Sequence, residues 1–145
     1  MRLCADTSFL FSYYASDAHS QRADQWRQSR AFPLLISIFN RLELGNALEL
    51  AAFQKRLSQK ESSDIWLTVE SDLTAGILTL VDVPWTALIA DSESLVSMHT
   101  SSVGCRTLDV MHVAFARMIT VDEFASFDQR QIALANRIGL KAAVL

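Results

Sequence analysis

At 145 residues and 16.2 kDa the chain has the length of one domain, enough to bury a core and too little for two. Half of it is apolar, a fifth is charged and the mean hydropathy is +0.19, which marks a folded globule and excludes a disordered or low-complexity chain. A net charge of −3 and a pI near 5.5 do not by themselves announce a nucleic-acid binder.

Met1 to Asp6 carries charge where a secretion signal keeps its apolar run, so the expected location is cytoplasmic. Leu3-Cys4-Ala5 reads as a short buried strand that hands over at Asp6-Thr7-Ser8 to a helix capped by Thr7 or Ser8. Short helices follow over 9–16 and 20–29. Residues 33–36 form a second buried strand, and Ser37 is the N-cap of a helix from Ile38 to about Phe53. Helical spacing of Ile65, Leu67, Val69 and Leu73 covers 58–75, and Gly76 ends it. The β-branched run 77–83 is a third strand. The apolar stretch it belongs to is broken by Thr and Asp, far short of the ~18 residues of a membrane span. A helix over 85–98 and a turn over 101–104 come next. Thr107 then caps a helix to Met118 that is apolar on nearly every side and so is expected inside. A fourth strand, 123–127, ends in Asp128; a helix over 129–138 is closed by Gly139, and 141–145 is a last strand. Cys4 and Cys105 lie outside any C-x-x-C spacing, which fits a reducing compartment and excludes a zinc ribbon or a disulfide scaffold.

Short buried strands alternating with helices predict an α/β domain in three layers, α/β/α, around a short-stranded, mainly parallel sheet, with 1–145 as a single domain. Ligands of such sheets gather beyond the carboxyl ends of the strands. Asp6 ends the first strand and Asp128 the fourth. Glu43 lies within two turns of Ser37, on the helix leaving the second strand. Asp109 begins a helix whose N-terminus points to the same edge. Four carboxylates from four distant segments therefore converge on one rim. Taken singly, Asp6 and Asp128 could cap helices, and Asp109 gains from a helix dipole. Glu43 has no such explanation, because it interrupts an apolar stripe containing Phe39, Ala47 and Leu50. A buried carboxylate cluster repels itself and raises its own pKa values, and a divalent cation removes both penalties. Hard oxygen donors without a Cys or His cluster point to Mg²⁺ or Mn²⁺ rather than Zn²⁺.

Charge is unevenly spread. His19 to Lys60 holds seven Lys/Arg against three Asp/Glu, whereas 61–100 holds seven Asp/Glu and no Lys or Arg. Ten of the thirteen basic residues are Arg, suited to gripping phosphate, although a solvated helix face explains the same pattern. Arg41, Arg106 and Arg130 flank three of the acids and could meet phosphate or pair with those carboxylates. His112, three residues after Asp109, shares its helix face and could touch the site or simply pack. His19 and His99 read as surface residues. Trp26, Trp66 and Trp85 sit at helical spacing with other apolar residues, as core or interface side chains do.

Four segments carry a resemblance to a known family. They are Asp6-Thr7-Ser8-Phe9-Leu10, the run from Ser37 to Leu44 around Glu43, the run from Arg106 to Ala114 around Asp109, and Phe127-Asp128-Gln129-Arg130 with Ala133 and Gly139 behind it. In this order and spacing the chain resembles the PIN-domain nucleases, and among them the VapC-type toxin ribonucleases of bacterial toxin–antitoxin pairs. The resemblance implies that Asp6, Glu43, Asp109 and Asp128 are the metal-binding and catalytic acids, and that Ser8 supports them through hydrogen bonding. It implies Mg²⁺- or Mn²⁺-dependent hydrolysis of RNA phosphodiester bonds, leaving a 5′-phosphate and a 3′-hydroxyl. In that scheme Asp6 and Asp109 are inner ligands, Asp128 serves a second or weaker ion, and Glu43 orients or deprotonates the attacking water. A cognate antitoxin protein and a homodimer are the implied partners, with helices such as 9–14 and 62–69 offering surface.

The alternative within the same fold is a non-catalytic scaffold that only binds. A phospho-acceptor domain would need a Lys near the later strand ends, and Lys occurs only at 55, 60 and 141. An aspartate-nucleophile phosphatase would show D-x-D where this chain has Asp6-Thr7-Ser8.

Overall fold

The computed structural model describes residues 1–145. In chain order it comprises β1 (Leu3–Ala5), α1 (Thr7–Tyr14), α2 (Ser20–Gln28), β2 (Leu34–Ile36), α3 (Ile38–Phe53), α4 (Gln59–Thr74), β3 (Leu78–Leu80), α5 (Trp85–Leu95), a π-helical turn (Val96–Thr100), α6 (Ser101–Val103), α7 (Thr107–Met118), β4 (Glu123–Ala125) and α8 (Gln129–Arg137). The four strands form one sheet in the order β3-β2-β1-β4, and every pairing is parallel. Leu3 pairs with both Leu34 and Glu123, so β1 is central and its carboxyl end sits between those of β2 and β4.

Alternation along β1 builds the layers. Leu3 and Ala5 enter one core with Phe9, Trp26, Leu44, Leu48 and Val69, while Cys4 enters the other with Leu88, Val113, Phe115 and Leu134. Helices α1–α4 thus cover one face, and α5, α7 and α8 the other. A parallel sheet needs both faces covered, which is why its strands are apolar but for Thr79 in β3 and Glu123 in β4. The expected three-layer α/β/α fold is observed. No helix is long and apolar enough to cross a membrane.

Several boundaries differ from expectation, each for a local reason. Asp6, rather than Thr7 or Ser8, caps α1: its carboxylate accepts from Phe9 N–H, which lets the helix begin two residues earlier than expected. Arg106 is the N-cap of α7, and Thr107 is its first residue. The expected turn at 101–104 is helix, because α5 runs on through the π-helical turn to Val103 and stops only at Gly104, whose φ of +75° suits glycine. The last strand over 141–145 shrinks to a single bridge, Phe124 to Ala142, held by Phe124 N–H to Lys141 O and Ala143 N–H to Phe124 O. Of the α1 surface, Phe9 and Leu10 are fully buried and Phe11, Tyr13 and Tyr14 are half-buried.

Candidate active site

The parallel sheet brings the ends of β1, β2 and β4 and the start of α7 to one edge, where the carboxylates stand. Asp6 follows β1 and is only 1% exposed. Its Oδ1 accepts from Phe9 N–H at 3.0 Å, and Ser8 Oγ lies 2.8 and 2.7 Å from its two oxygens. Ser8 Oγ also accepts from Phe127 N–H at 3.0 Å, tying the ends of β1 and β4 together. Burial pushes the Asp6 carboxyl above its usual range, against the pull of His112 by charge and of the Phe9 amide and the Ser8 and Ser126 hydroxyls. No cationic side chain pairs with it.

Glu43 projects from α3 toward α7 and is half-buried. Its Oε2 accepts from Thr7 Oγ1 at 2.9 Å and from His112 Nε2. The tautomer of His112 follows from its neighbours. Ser37 N–H can only donate, so Asn40 Oδ1 faces it, at 2.9 Å, within the capping box of α3. The Asn40 amide nitrogen then faces Ala5 O at 3.2 Å and His112 Nδ1 at 3.3 Å. His112 Nδ1 therefore accepts, and Nε2 carries the hydrogen that reaches Glu43. Burial pushes the Glu43 carboxyl up, but His112 and Thr7 outweigh it and hold it below the usual range. Asp109 is near enough to oppose them by charge.

Asp109 occupies the first turn of α7 and is 5% exposed. Arg106 reaches its Oδ2 through the backbone N–H at 2.9 Å and through Nε at 3.2 Å, and Gln131 Nε2 donates to Oδ1 at 3.2 Å. Asp109, and behind it Asp128 and Glu43, hold the Arg106 guanidinium above its ordinary value. The exposed Arg106 is thus the cation about which three of the acids are arrayed. Asp128 caps α8: its Oδ1 accepts from Arg130 N–H at 2.8 Å and Gln131 N–H at 3.2 Å.

Asp6, Glu43 and Asp109 thus share one neighbourhood with His112, while Asp128 joins it through Gln131 and Arg106. As arranged, no three Asp, Glu, His or Cys side chains stand close enough to enclose one ion. The donor chemistry nonetheless fits a hard divalent cation: Asp6 is buried and in no ion pair, and Gln131 Oε1, on the amide that touches Asp109, is buried with no partner.

Sequence reasoning left out His112, which is 3% exposed and holds Glu43. Its position three residues after Asp109 was the available signal. Asn40 and Gln131 gave none, because their contacts join segments far apart in the chain. Of the flanking arginines, Arg106 pairs with Asp109, Arg41 pairs instead with Glu70 at 2.6 Å and lies over Trp66, and Arg130 forms no ion pair.

An all-parallel four-stranded sheet with acids at its carboxyl edge, helices on both faces and β1 at its centre defines a PIN-like domain. Solved structures share that architecture. VapC20 of Mycobacterium tuberculosis, a Sarcin-Ricin loop cleaving toxin, matches with a TM-score of 0.67 at 16% identity, over 90% of this chain and 93% of that one. FitAcB from Neisseria gonorrhoeae matches with a TM-score of 0.65 at 17% identity, over 98% of this chain and 96% of that one. A toxin–antitoxin complex from Klebsiella pneumoniae gives 0.58 at 13% identity over 90% of each chain. Neither a family profile nor a curated protein matches the sequence. At this level of identity the likeness establishes the fold.

Proposed function

We propose that the chain is a divalent-metal-dependent endoribonuclease, the toxin of a VapBC-type pair, acting in the cytoplasm as a single-domain protomer of a homodimer and restrained by an antitoxin protein. The observation that carries this reading is the convergence of Asp6, Glu43 and Asp109 at the carboxyl edge of a parallel sheet, two of them almost fully buried. A buried, uncompensated carboxylate costs several kcal/mol, and a fold that keeps one at its ligand-binding edge has a use for it. The names of the structural neighbours point the same way: one is a Sarcin-Ricin loop cleaving toxin and another comes from a toxin–antitoxin complex.

Asp6 and Asp109 would hold Mg²⁺ or Mn²⁺, with Asp128 serving a second ion. Bound there, the metal would acidify a water and neutralise the charge that develops on the scissile phosphate. The chain's own groups do the rest. Ser8 fixes the Asp6 carboxylate and the β4 end together. His112, locked in one tautomer by Asn40, orients Glu43 so that its carboxylate, held ionised, accepts the proton of the attacking water. Arg106 is exposed, carries its charge at any physiological pH and can exchange Asp109 for a phosphate oxygen.

The competing reading is a binding-only scaffold, favoured by the fact that Arg106 and His112 already occupy two of the acids. Cleavage of a labelled structured RNA pool separates the two. Metal-dependent cleavage by the wild type, lost in Asp109→Asn and in EDTA, establishes the nuclease. Cleavage undiminished in Asp109→Asn would refute the assignment of the site.

A further inference from the structure

A cavity of about 480 Å³ opens beside the carboxylates, among α1, the C-terminal half of α3 and the loops after α1 and β4. That volume lies within the range of small-molecule sites. Ser8 and Asp128 line it toward the acids, Phe11 and Leu50 give it apolar surface, and His19 and Arg56 complete it. A series of near-parallel rings leads to it from the core. Tyr13 and Phe9 lie 6.3 Å apart at 14°, Phe9 and Phe127 5.9 Å apart at 13°, and Phe127 and His19 4.5 Å apart at 13°. Phe9 is fully buried, whereas His19, the end of the series, is only half-buried.

The loop that presents His19 is tied down. Asp17 accepts from Ser12 Oγ at 2.8 Å, from His19 N–H at 2.7 Å and from Ser20 Oγ at 3.3 Å. Arg22 donates to His19 Nδ1 and lies over the Phe127 ring, 5.2 Å from its centre. Arg56 lies over Phe11 at 5.7 Å. Neither guanidinium takes part in any of the chain's seven ion pairs. A rigid aromatic platform flanked by two arginines without an acidic partner, Arg56 donating only to Gln54 Oε1 at 2.9 Å, suits an unstacked nucleotide: a ring stacks on the π-face of any base, and a guanidinium donates to phosphate.

We propose that this cavity is a nucleotide subsite for single-stranded RNA, in which one unpaired base stacks on His19 while the adjoining phosphates meet Arg22 and Arg56. The inference rests on the nuclease reading, because it assigns the strand next to the cleaved bond a place on the protein. It goes further by naming the side chains that select unpaired over paired RNA.

The test is binding in EDTA, where no cleavage occurs, of short single-stranded RNAs carrying 2-aminopurine at successive positions. Wild type and His19→Phe should change its fluorescence at one position. His19→Ala should lose that signal and bind about tenfold more weakly, as expected for one lost base–ring stack. Arg56→Ala, on another wall of the cavity, should weaken all sequences alike and reduce the salt slope by about one. Four results would each overturn the subsite: equal binding by wild type and His19→Ala, an unchanged signal at every position, no RNA binding by the wild type, or undiminished binding of RNA made abasic at the responsive position. Cleavage assays with Asp109→Asn judge the nuclease reading separately: a base-specific signal without metal-dependent cleavage would remove the enzyme and leave the subsite.

Discussion

Asp6→Asn should make the protein more stable in EDTA and less responsive to metal. The substitution is isosteric. Asn Oδ1 keeps the cap bond to Phe9 N–H, and the Ser8 and Ser126 hydroxyls, which can donate or accept, can serve the new amide. Only the charge is lost. A carboxylate 1% exposed costs several kcal/mol to bury, and hydrogen bonds to a charged acceptor return about 1.5–3 kcal/mol each. Burial outweighs those bonds and raises the Asp6 carboxyl, so removing the charge should raise the Tm in EDTA, by about 2–4 °C for each kcal/mol relieved in a chain of this size. The pH dependence follows from the same sign. A carboxyl raised in the folded state binds more protons there than in the unfolded state, so wild-type stability falls as pH rises above 3.8 toward the folded value. The variant's advantage should grow over that window and vanish below it. Calorimetric melts in EDTA and in Mg²⁺ check both halves. At 100 times its Kd, a metal bound by the native state adds about 2.7 kcal/mol, an increment Asp6→Asn should largely lose. A lower Tm for the variant in EDTA would refute the uncompensated-charge argument, and equal Mg²⁺ increments in both proteins would remove Asp6 from the ligand set.

Other expectations follow from single contacts. His112→Ala frees Glu43 and should cut RNA cleavage about 10- to 100-fold, the usual cost of losing the partner that orients a ligand, as single-turnover kinetics would read. Arg106→Ala removes the cation held by Asp109 and should tighten Mg²⁺ binding in calorimetric titration; an unchanged Kd would show that metal and guanidinium do not compete. Glu123, 3% exposed between Arg30 at 2.6 Å and Lys141 at 2.8 Å, is held below its usual 4.5 by these cations despite burial. Its contribution is complete above pH 4.5 and is lost as pH falls through the depressed value, and Glu123→Gln should cost about 2 kcal/mol at pH 7 in chemical denaturation. Gly45→Ala should instead gain about 0.5–1 kcal/mol, because the new Cβ meets Trp66 at an ordinary 3.5 Å and mid-helix glycine is entropically costly.

What was legible in the sequence is what neighbouring residues decide. The capping boxes at Ser37 and Ser58, with Asn40 and Glu61 three residues on, set the starts of α3 and α4 where expected. Apolar positions on nearly every side of α7 announced that it is buried over Asp109–Ala116. The misses are tertiary. Residues 101–104 read as a turn, yet the helix continues through Ser101 and Ser102 because Leu95 on one side is anchored in the α5–α7 core and only Gly104 offers the left-handed exit. The acidic run 61–100, with seven Asp/Glu and no Lys or Arg, reads as a charge asymmetry or a solvated helix face. In the fold Glu70 finds Arg41, Asp91 finds Arg117, Asp72 accepts from Tyr14 and Asp64 pairs with Lys60. All four partners lie outside the segment, and all but Lys60 lie beyond the reach of any local window.

The carboxylates themselves show why the site was only half legible. For Asp6 and Asp128 a helix cap and a functional ligand look like rival explanations when the chain is read in one dimension. In three dimensions they are compatible, because a carboxylate has two oxygens and capping uses one. Asp128 takes both α8 amides on Oδ1 and makes no bond through Oδ2. Asp6 takes the Phe9 amide on Oδ1, and Oδ2 meets only hydroxyls, which can turn away. The cap bond fixes the orientation of the side chain at the end of its strand, and that fixed orientation is what a ligand requires. A strand-end Asp that begins a helix on a parallel sheet is thus more suited to hold an ion for being a cap. The weight given to each such residue should rise with the number of strand ends that share the arrangement.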